Sequence, residues 1–232
     1  MAELMRNPRV MRKAQEEVRR ALDERDSVTE ESVASLRYLN LVIKEVLRLH
    51  PQTTMLPPPP PPPHECRAPC RVLGFDAPAG AMVLVNAWAV GRDPPHWDDP
   101  EEFSPVEGGD VDFKGTDFEY IPFGTGRRMC PGMAFGLANM ELALTSLLYH
   151  FDSELPDGTE PGELDMAELM GLTTRRRSDL LLVPAVRVPL PKQNLHVPSE
   201  NSFDIKTLEG RERISQHERF IAIASIPAKN KE

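Results

Sequence analysis

The feature that most constrains this chain is a short loop running into a long apolar stretch. It reads Phe123-Gly124-Thr125-Gly126-Arg127-Arg128-Met129-Cys130-Pro131-Gly132. After Gly132, Met133, Leu137, Met140, Leu144, Leu147 and Leu148 recur on one face at helical spacing. The loop therefore fixes a cysteine directly ahead of a helix N-terminus. A thiolate, not a thiol, is a strong metal ligand, and it persists only in positive surroundings. The free N–H groups and macrodipole of the following helix supply them.

The neighbours of Cys130 narrow the choice of metal group. Gly126 permits a tight turn, and Gly132 lets the helix backbone approach something flat and bulky. Arg128 offers a fixed fork of donors suited to a carboxylate. Phe123 would shield the sulfur from water. Structural zinc wants four convergent ligands, whereas a lone thiolate with a carboxylate binder and a glycine-lined flat approach suits haem. The competing reading is a loop cysteine before an ordinary helix.

Elsewhere the pattern is mixed. Val10, Met11, Ala14, Val18, Ala21 and Leu22 predict a helix behind Pro8. A second is expected after Thr29, and a third from Leu36, Leu39, Ile43, Val46 and Leu47, ending at His50-Pro51. Segments 70–75 and 81–86 predict short strands around the turn 76–80, and Leu180–Val183 a final strand. Residues 91–129 form a long connection of the kind that usually carries function. The chain has 24 prolines, about twice the usual share of about 5%, and seven of them form the run Pro57–Pro63. A net charge of −9 argues against a nucleic-acid partner. Three cysteines make no disulfide framework. No stretch reaches the ~20 apolar residues of a membrane helix, and the N-terminus lacks a signal-peptide core.

The cysteine loop resembles the cytochrome P-450 signature at every specified position: Phe123, Gly126, Arg128, Cys130 and Gly132. Lys44-Glu45-Val46-Leu47-Arg48 resembles that family's Glu-x-x-Arg pair, Glu45 with Arg48, which there is structural. Segment 97–105 resembles its meander, 67–92 its strand hairpin and 171–184 its last strand pair. Segments 52–56 and 170–173 resemble substrate-facing regions, and the wording is closest to plant microsomal members. The resemblance implies a mainly α fold with small β-sheets (α+β), here the C-terminal haem-binding lobe over residues 1–190. A divergent tail, expected to be disordered, follows over 191–232.

The same resemblance implies a haem-thiolate monooxygenase that inserts one oxygen atom into a small apolar plant metabolite. Haem b would be the cofactor, with iron held by Cys130, a propionate by Arg128, and Phe123, Gly126 and Gly132 around the group. NADPH would supply electrons through a separate cytochrome reductase, steered by basic residues such as Arg127. The full-length family sits on the cytosolic face of the endoplasmic reticulum membrane. This chain is expected to lack the anchor, the distal helices and the oxygen-activating acid–alcohol pair, which would leave it cytosolic. The alternative is a catalytically inactive haem-lobe fragment with a binding role, and a third reading is a proline-rich adaptor.

Two departures carry expectations of their own. Where the family has Glu-Arg-Phe, this chain reads Val106-Glu107-Gly108, which would leave the Glu45–Arg48 pair unsupported. The proline run is longer than usual and would reshape the pocket. His64-Glu65-Cys66 through Cys70 lacks a fourth ligand for a metal, and Arg175-Arg176-Arg177 reads as a solvated strand end.

Overall fold

The structure, a computed structural model, describes residues 1–23, 28–56, 66–72, 74–105, 112–113, 117–169 and 173–190, with the backbone alone at Arg128 and Asp157. The chain divides into the unit Met1–Pro191, to which all of these belong, and the unit Lys192–Glu232. The proline run, Glu107 and the tail lie outside the described residues.

Helices α1 (Ala2–Arg6) and α2 (Pro8–Ala21) meet at Asn7, where the chain leaves the helical region with φ −119°. Pro8 opens α2, where its missing N–H costs nothing. Helix α3 (Glu30–Val33) is a single turn with a reciprocal cap. The Thr29 hydroxyl accepts from Ser32 N–H, and the Ser32 hydroxyl accepts from Thr29 N–H. Helix α4 (Arg37–Leu49) buries Leu39, Ile43 and Leu47 of the predicted stripe and adds Val42, while Val46 is only half-buried. Its own N-cap, Leu36, offers no side-chain acceptor. Glu17 of α2 replaces it, its carboxylate accepting from Tyr38 N–H at 2.8 Å and Leu39 N–H at 2.9 Å. Two orphan donors are thus met by a neighbouring helix.

The next elements are short. Strands β1 (Met55–Leu56), β2 (Cys70–Val72), β3 (Phe75–Ala77) and β4 (Val85–Asn86) precede a one-turn helix, α5 (Ala87–Val90). Helix α6 (Met133–His150) then leads into β5 (Phe151–Glu154), β6 (Glu168–Leu169), β7 (Arg175–Arg176) and β8 (Val183–Val186). All pairings are antiparallel and two-stranded: β1 with β4, β2 with β3, β5 with β8, β6 with β7. The described residues are therefore mainly α with small β-sheets.

Three expectations are corrected. Strand 70–75 does not turn at 76–80: the chain reverses at Gly74, with φ 87°, and β2 pairs Val72 with Phe75. Only glycine reaches that φ without strain. Strand 81–86 shrinks to β4, which pairs with β1 instead, Leu56 opposite Val85. The last strand begins at Val183 rather than ending there, because β5 follows α6 without a break and fixes the register at Glu154 opposite Val183. On α6, Leu147 is exposed, and Leu137, Thr145, Leu148 and Tyr149 form the buried face.

The core lies where α2 packs on α4 and α6. Leu4, Val18, Leu22, Leu36, Leu39, Val42 and Leu148 are all but fully buried there. Arg19 of α2 clasps the C-terminal end of α6. It donates to Leu148 O at 3.2 Å and Phe151 O at 3.3 Å and pairs with Asp152 at 2.5 Å. A cation on these carbonyls complements the negative helix end.

Candidate functional site

Two features of α4 bear on the site: the Glu45–Arg48 pair and Leu47 between them. Arg48 is 4% exposed. Its Nε–H and one Nη2–H donate to the two oxygens of Glu45 at 2.8 and 2.7 Å. The remaining donors reach Gly91 O at 2.8 Å, Pro100 O at 2.7 Å and Glu102 O at 2.9 Å. Every N–H of the guanidinium is thereby used. Glu45 also accepts from Ser104 N–H at 3.0 Å, and Trp97 lies with its ring 5.0 Å from the guanidinium. The pair is therefore not unsupported, as the missing Glu-Arg-Phe suggested. Backbone carbonyls of the 91–102 segment accept from Arg48, and Ser104 N–H supplies the extra donor to Glu45.

From this pair a row of aromatics leads to the cysteine loop. Trp97 meets Tyr120 edge-on at 6.2 Å, Tyr120 meets Phe113 at 6.4 Å, and Phe113 meets Phe123 edge-on at 5.9 Å. Tyr120 is buried, and its hydroxyl donates to Lys44 O at 2.9 Å. Burial, then the charges of Glu45 and Asp112, pushes its phenol far above the ordinary range. It stays a neutral donor. Sequence reasoning missed Tyr120 and Phe113. The only signal was that residues 91–129 carry scattered aromatics in a long connection.

The loop closes on itself. Cys130 N–H donates to Phe123 O at 2.9 Å and Gly124 N–H to Ile121 O at 3.0 Å. Gly124 and Gly126 sit at φ 72° and 70°, so both reversals require glycine. A single 3₁₀ turn, Gly126–Arg128, follows, and Gly132 caps α6. The side chain of Arg128 lies outside the described structure.

Cys130 is exposed and lines a cavity of about 460 Å³. Leu47, Leu56, Val85, Ile121, Phe123 and Met140 supply apolar wall, Gln52 and Thr53 polar edge, and Gly124, Gly132 and Gly136 bare backbone. The volume falls within the roughly 300–1,000 Å³ of small-molecule and cofactor sites. A Cβ at Gly132 would lie 3.9 Å from the Cys130 sulfur, and one at Gly136 would meet nothing within 4 Å. The first would rest in ordinary contact with the sulfur, and the second would project into open space that packing has left free. Of the predicted site residues, the fold brings Phe123, Cys130 and Gly132 to this cavity, and Gly126 to the turn beside it. Glu45 and Arg48 flank Leu47 on the helix behind. Gln52–Leu56 reaches the wall as expected, while residues 170–172 lie outside the described set.

Other motifs stand apart. Among the described residues no cluster of three or more histidines, cysteines or carboxylates could hold a metal ion. Nor is any described helix long and apolar enough to cross a membrane. Arg176 and Arg177 are engaged with Asp165, through its carbonyl and its carboxylate respectively.

The model of the cytochrome P450 family matches residues 1–183. Desmethyl-deoxy-podophyllotoxin synthase of Sinopodophyllum hexandrum is 52% identical over 189 residues, 80% of this chain and 36% of that protein. Tabersonine 6,7-epoxidase isoform 2 of Catharanthus roseus is 51% identical, over 79% of this chain and 35% of its own length. Premnaspirodiene oxygenase of Hyoscyamus muticus is 52% identical, over 79% and 36%. The chain thus spans little more than a third of these plant relatives. Because the match takes in both the Glu45–Arg48 helix and the whole Cys130 loop, the chain belongs to the cytochrome P450 family.

Proposed function

We propose that this chain is the haem-binding part of a monooxygenase acting on an apolar plant metabolite, with Cys130 as the iron ligand. The observation that carries the reading is the cavity: one exposed cysteine, an apolar wall and a floor of bare glycine backbone. Those residues fit a flat macrocycle with a single protein ligand, and no second ligand set competes among the described residues.

Each residue then has a task. Cys130 binds the metal through its sulfur, held ahead of α6 by the hydrogen bond from its N–H to Phe123 O. Phe123 excludes water from that side, fixed by its edge contact with Phe113. Gly132 and Gly136 keep side chains out of the plane the group would take. Leu47, Val85 and Met140 orient an apolar ligand by shape, and Gln52 and Thr53 offer polar contacts at one edge. Arg128 is assigned to a haem propionate on the motif. Glu45 and Arg48 anchor the segment 91–104. Bound through a thiolate, haem supplies oxygen activation, its iron made electron-rich by the sulfur.

Electrons would come from NADPH through a separate reductase, and the full-length protein would sit at the endoplasmic reticulum membrane. The three relatives named above are a synthase, an epoxidase and an oxygenase of plants, which supports an oxidative activity on specialised metabolites.

The test is spectroscopic. Protein reconstituted with hemin, reduced and exposed to carbon monoxide, should show the red-shifted thiolate band, and Cys130→Ser should lose it. A wild-type spectrum without that band would end this assignment.

A further inference from the structure

The haem reading makes no use of Cys66 and Cys70. They sit at the base of the β2–β3 hairpin, and their sulfurs are in hydrogen-bonding contact at 3.8 Å. Cys70 is exposed and Cys66 partly so, and neither is in a disulfide. The backbone holds each in place. Cys66 N–H donates to Ala81 O at 3.0 Å and Cys66 O accepts from Gly80 N–H at 2.8 Å. Cys70 is in register with Ala77. Two thiols anchored by separate pairings, touching and open to solvent, are pre-arranged for one another. Two sulfurs alone do not make a closed metal site, and no larger ligand cluster exists among the described residues.

We propose that Cys66 and Cys70 form a reversible, peroxide-responsive disulfide that locks the base of this hairpin. Cys70 is the more exposed of the two and is therefore the sulfur that peroxide reaches first. The Cys70 thiolate attacks one oxygen of hydrogen peroxide, forming a sulfenic acid as the O–O bond breaks and hydroxide departs. The Cys66 sulfur then attacks the Cys70 sulfur. The S–S bond forms, the S–O bond breaks, and the Cys66 proton leaves with the oxygen as water. Overall, two thiols lose two protons and two electrons, and one peroxide becomes two waters. A small dithiol reverses the step by exchange. The lock would tie residue 66 to residue 70 and, through Ala81, stiffen the approach to Val83 and Val85 of the cavity wall.

The test uses the full chain, reduced, freed of reductant and given equimolar hydrogen peroxide. Trypsin cuts after Arg67 and Arg71 and so separates the two cysteines into peptides 49–67 and 68–71. The expected result is these two peptides joined, with the mass of two hydrogens lost, and released by dithiothreitol. Cys66→Ala and Cys70→Ala should each abolish the joined species. Joining should be several-fold faster in native protein than in guanidinium-unfolded protein. The proposal is overturned if the peptides stay separate, if either joins the Cys130 peptide instead, or if unfolding leaves the rate unchanged.

Discussion

Arg48 can be replaced by nothing of the same charge. Lysine keeps the cation but brings three donors on a flexible stem, where the structure uses five in a planar fork. Arg48→Lys would leave at least two of these five acceptors without a donor, and it should cost about 1–3 kcal/mol for each in urea unfolding. Gly91→Ala tests the same junction from the other side. Its added Cβ would meet the Arg48 carbonyl oxygen at 2.7 Å, a backbone atom that cannot swing away. The expected loss is about 1–3 kcal/mol. His50 carries a different dependence. Its Nδ1 lies 2.6 Å from Glu168 and its Nε2 2.8 Å from Glu3, and only the imidazolium can donate to both. Burial pulls its pKa down, but those two carboxylates outweigh burial and raise it above the ordinary value. Its stabilisation is therefore complete below about pH 6.5 and is lost as pH rises through the raised value. Urea midpoints should fall over that rise in the wild type and stay level in His50→Asn. The pairing of Glu45 with Arg48 could be read from the sequence, since both side chains are named there. Its support could not, because three of the partners are backbone carbonyls, which every residue has.

The same divide separates helices from strands among the elements. Helices α2 and α4 carry their burial in their spacing, and Met11, Ala14, Val18, Leu39, Ile43 and Leu47 are buried as their period requires. Strands of two to four residues carry no such signal, since their pairing is decided by what lies opposite. That is why β4 answers to β1 and the last strand starts late. Capping shows it again. The N-terminus of α4 is served from α2, so no residue near Leu36 could have announced it. Glu17→Ala should cost about 1–2 kcal/mol in thermal unfolding, while Glu16→Ala, with its neighbour intact, should change little. Helix α6 holds a second test. Glycine inside a helix costs about 1 kcal/mol relative to alanine, and packing gives no reason for it at Gly136, where an added Cβ meets nothing within 4 Å. The cavity gives one. Gly136→Ala should raise the unfolding midpoint of the hemin-free chain and weaken hemin uptake in a titration. An unchanged hemin affinity would remove Gly136 from the site.

At the scale of the whole molecule, the question is how closed the cavity is. Its core-facing side is firm, because Leu47 belongs to the buried stripe of α4, Gly136 to the long helix and Gly132 to its N-cap. The opposite wall is not. Val83 and Val85 line the cavity yet are 44% and 40% exposed, and Cys130 itself is open to solvent. The proposed haem site asks only for this firm wall and its cysteine, and a ligand that binds the native state alone stabilises it. Hemin at a hundred times its dissociation constant should add about 2.7 kcal/mol to unfolding, and Cys130→Ser should lose most of that. Oxygenation asks for more. Electrostatic stabilisation and protection of reactive species both depend on keeping water out, and this wall admits it. The 232-residue chain, loaded with hemin and given a reductase and NADPH, should therefore take up hemin but form no oxygenated product from an apolar probe above a heat-treated control. Product formed at a rate dependent on Cys130 would mean that residues outside the described set close the cavity, and the open-wall account would have to be abandoned while the haem assignment stood.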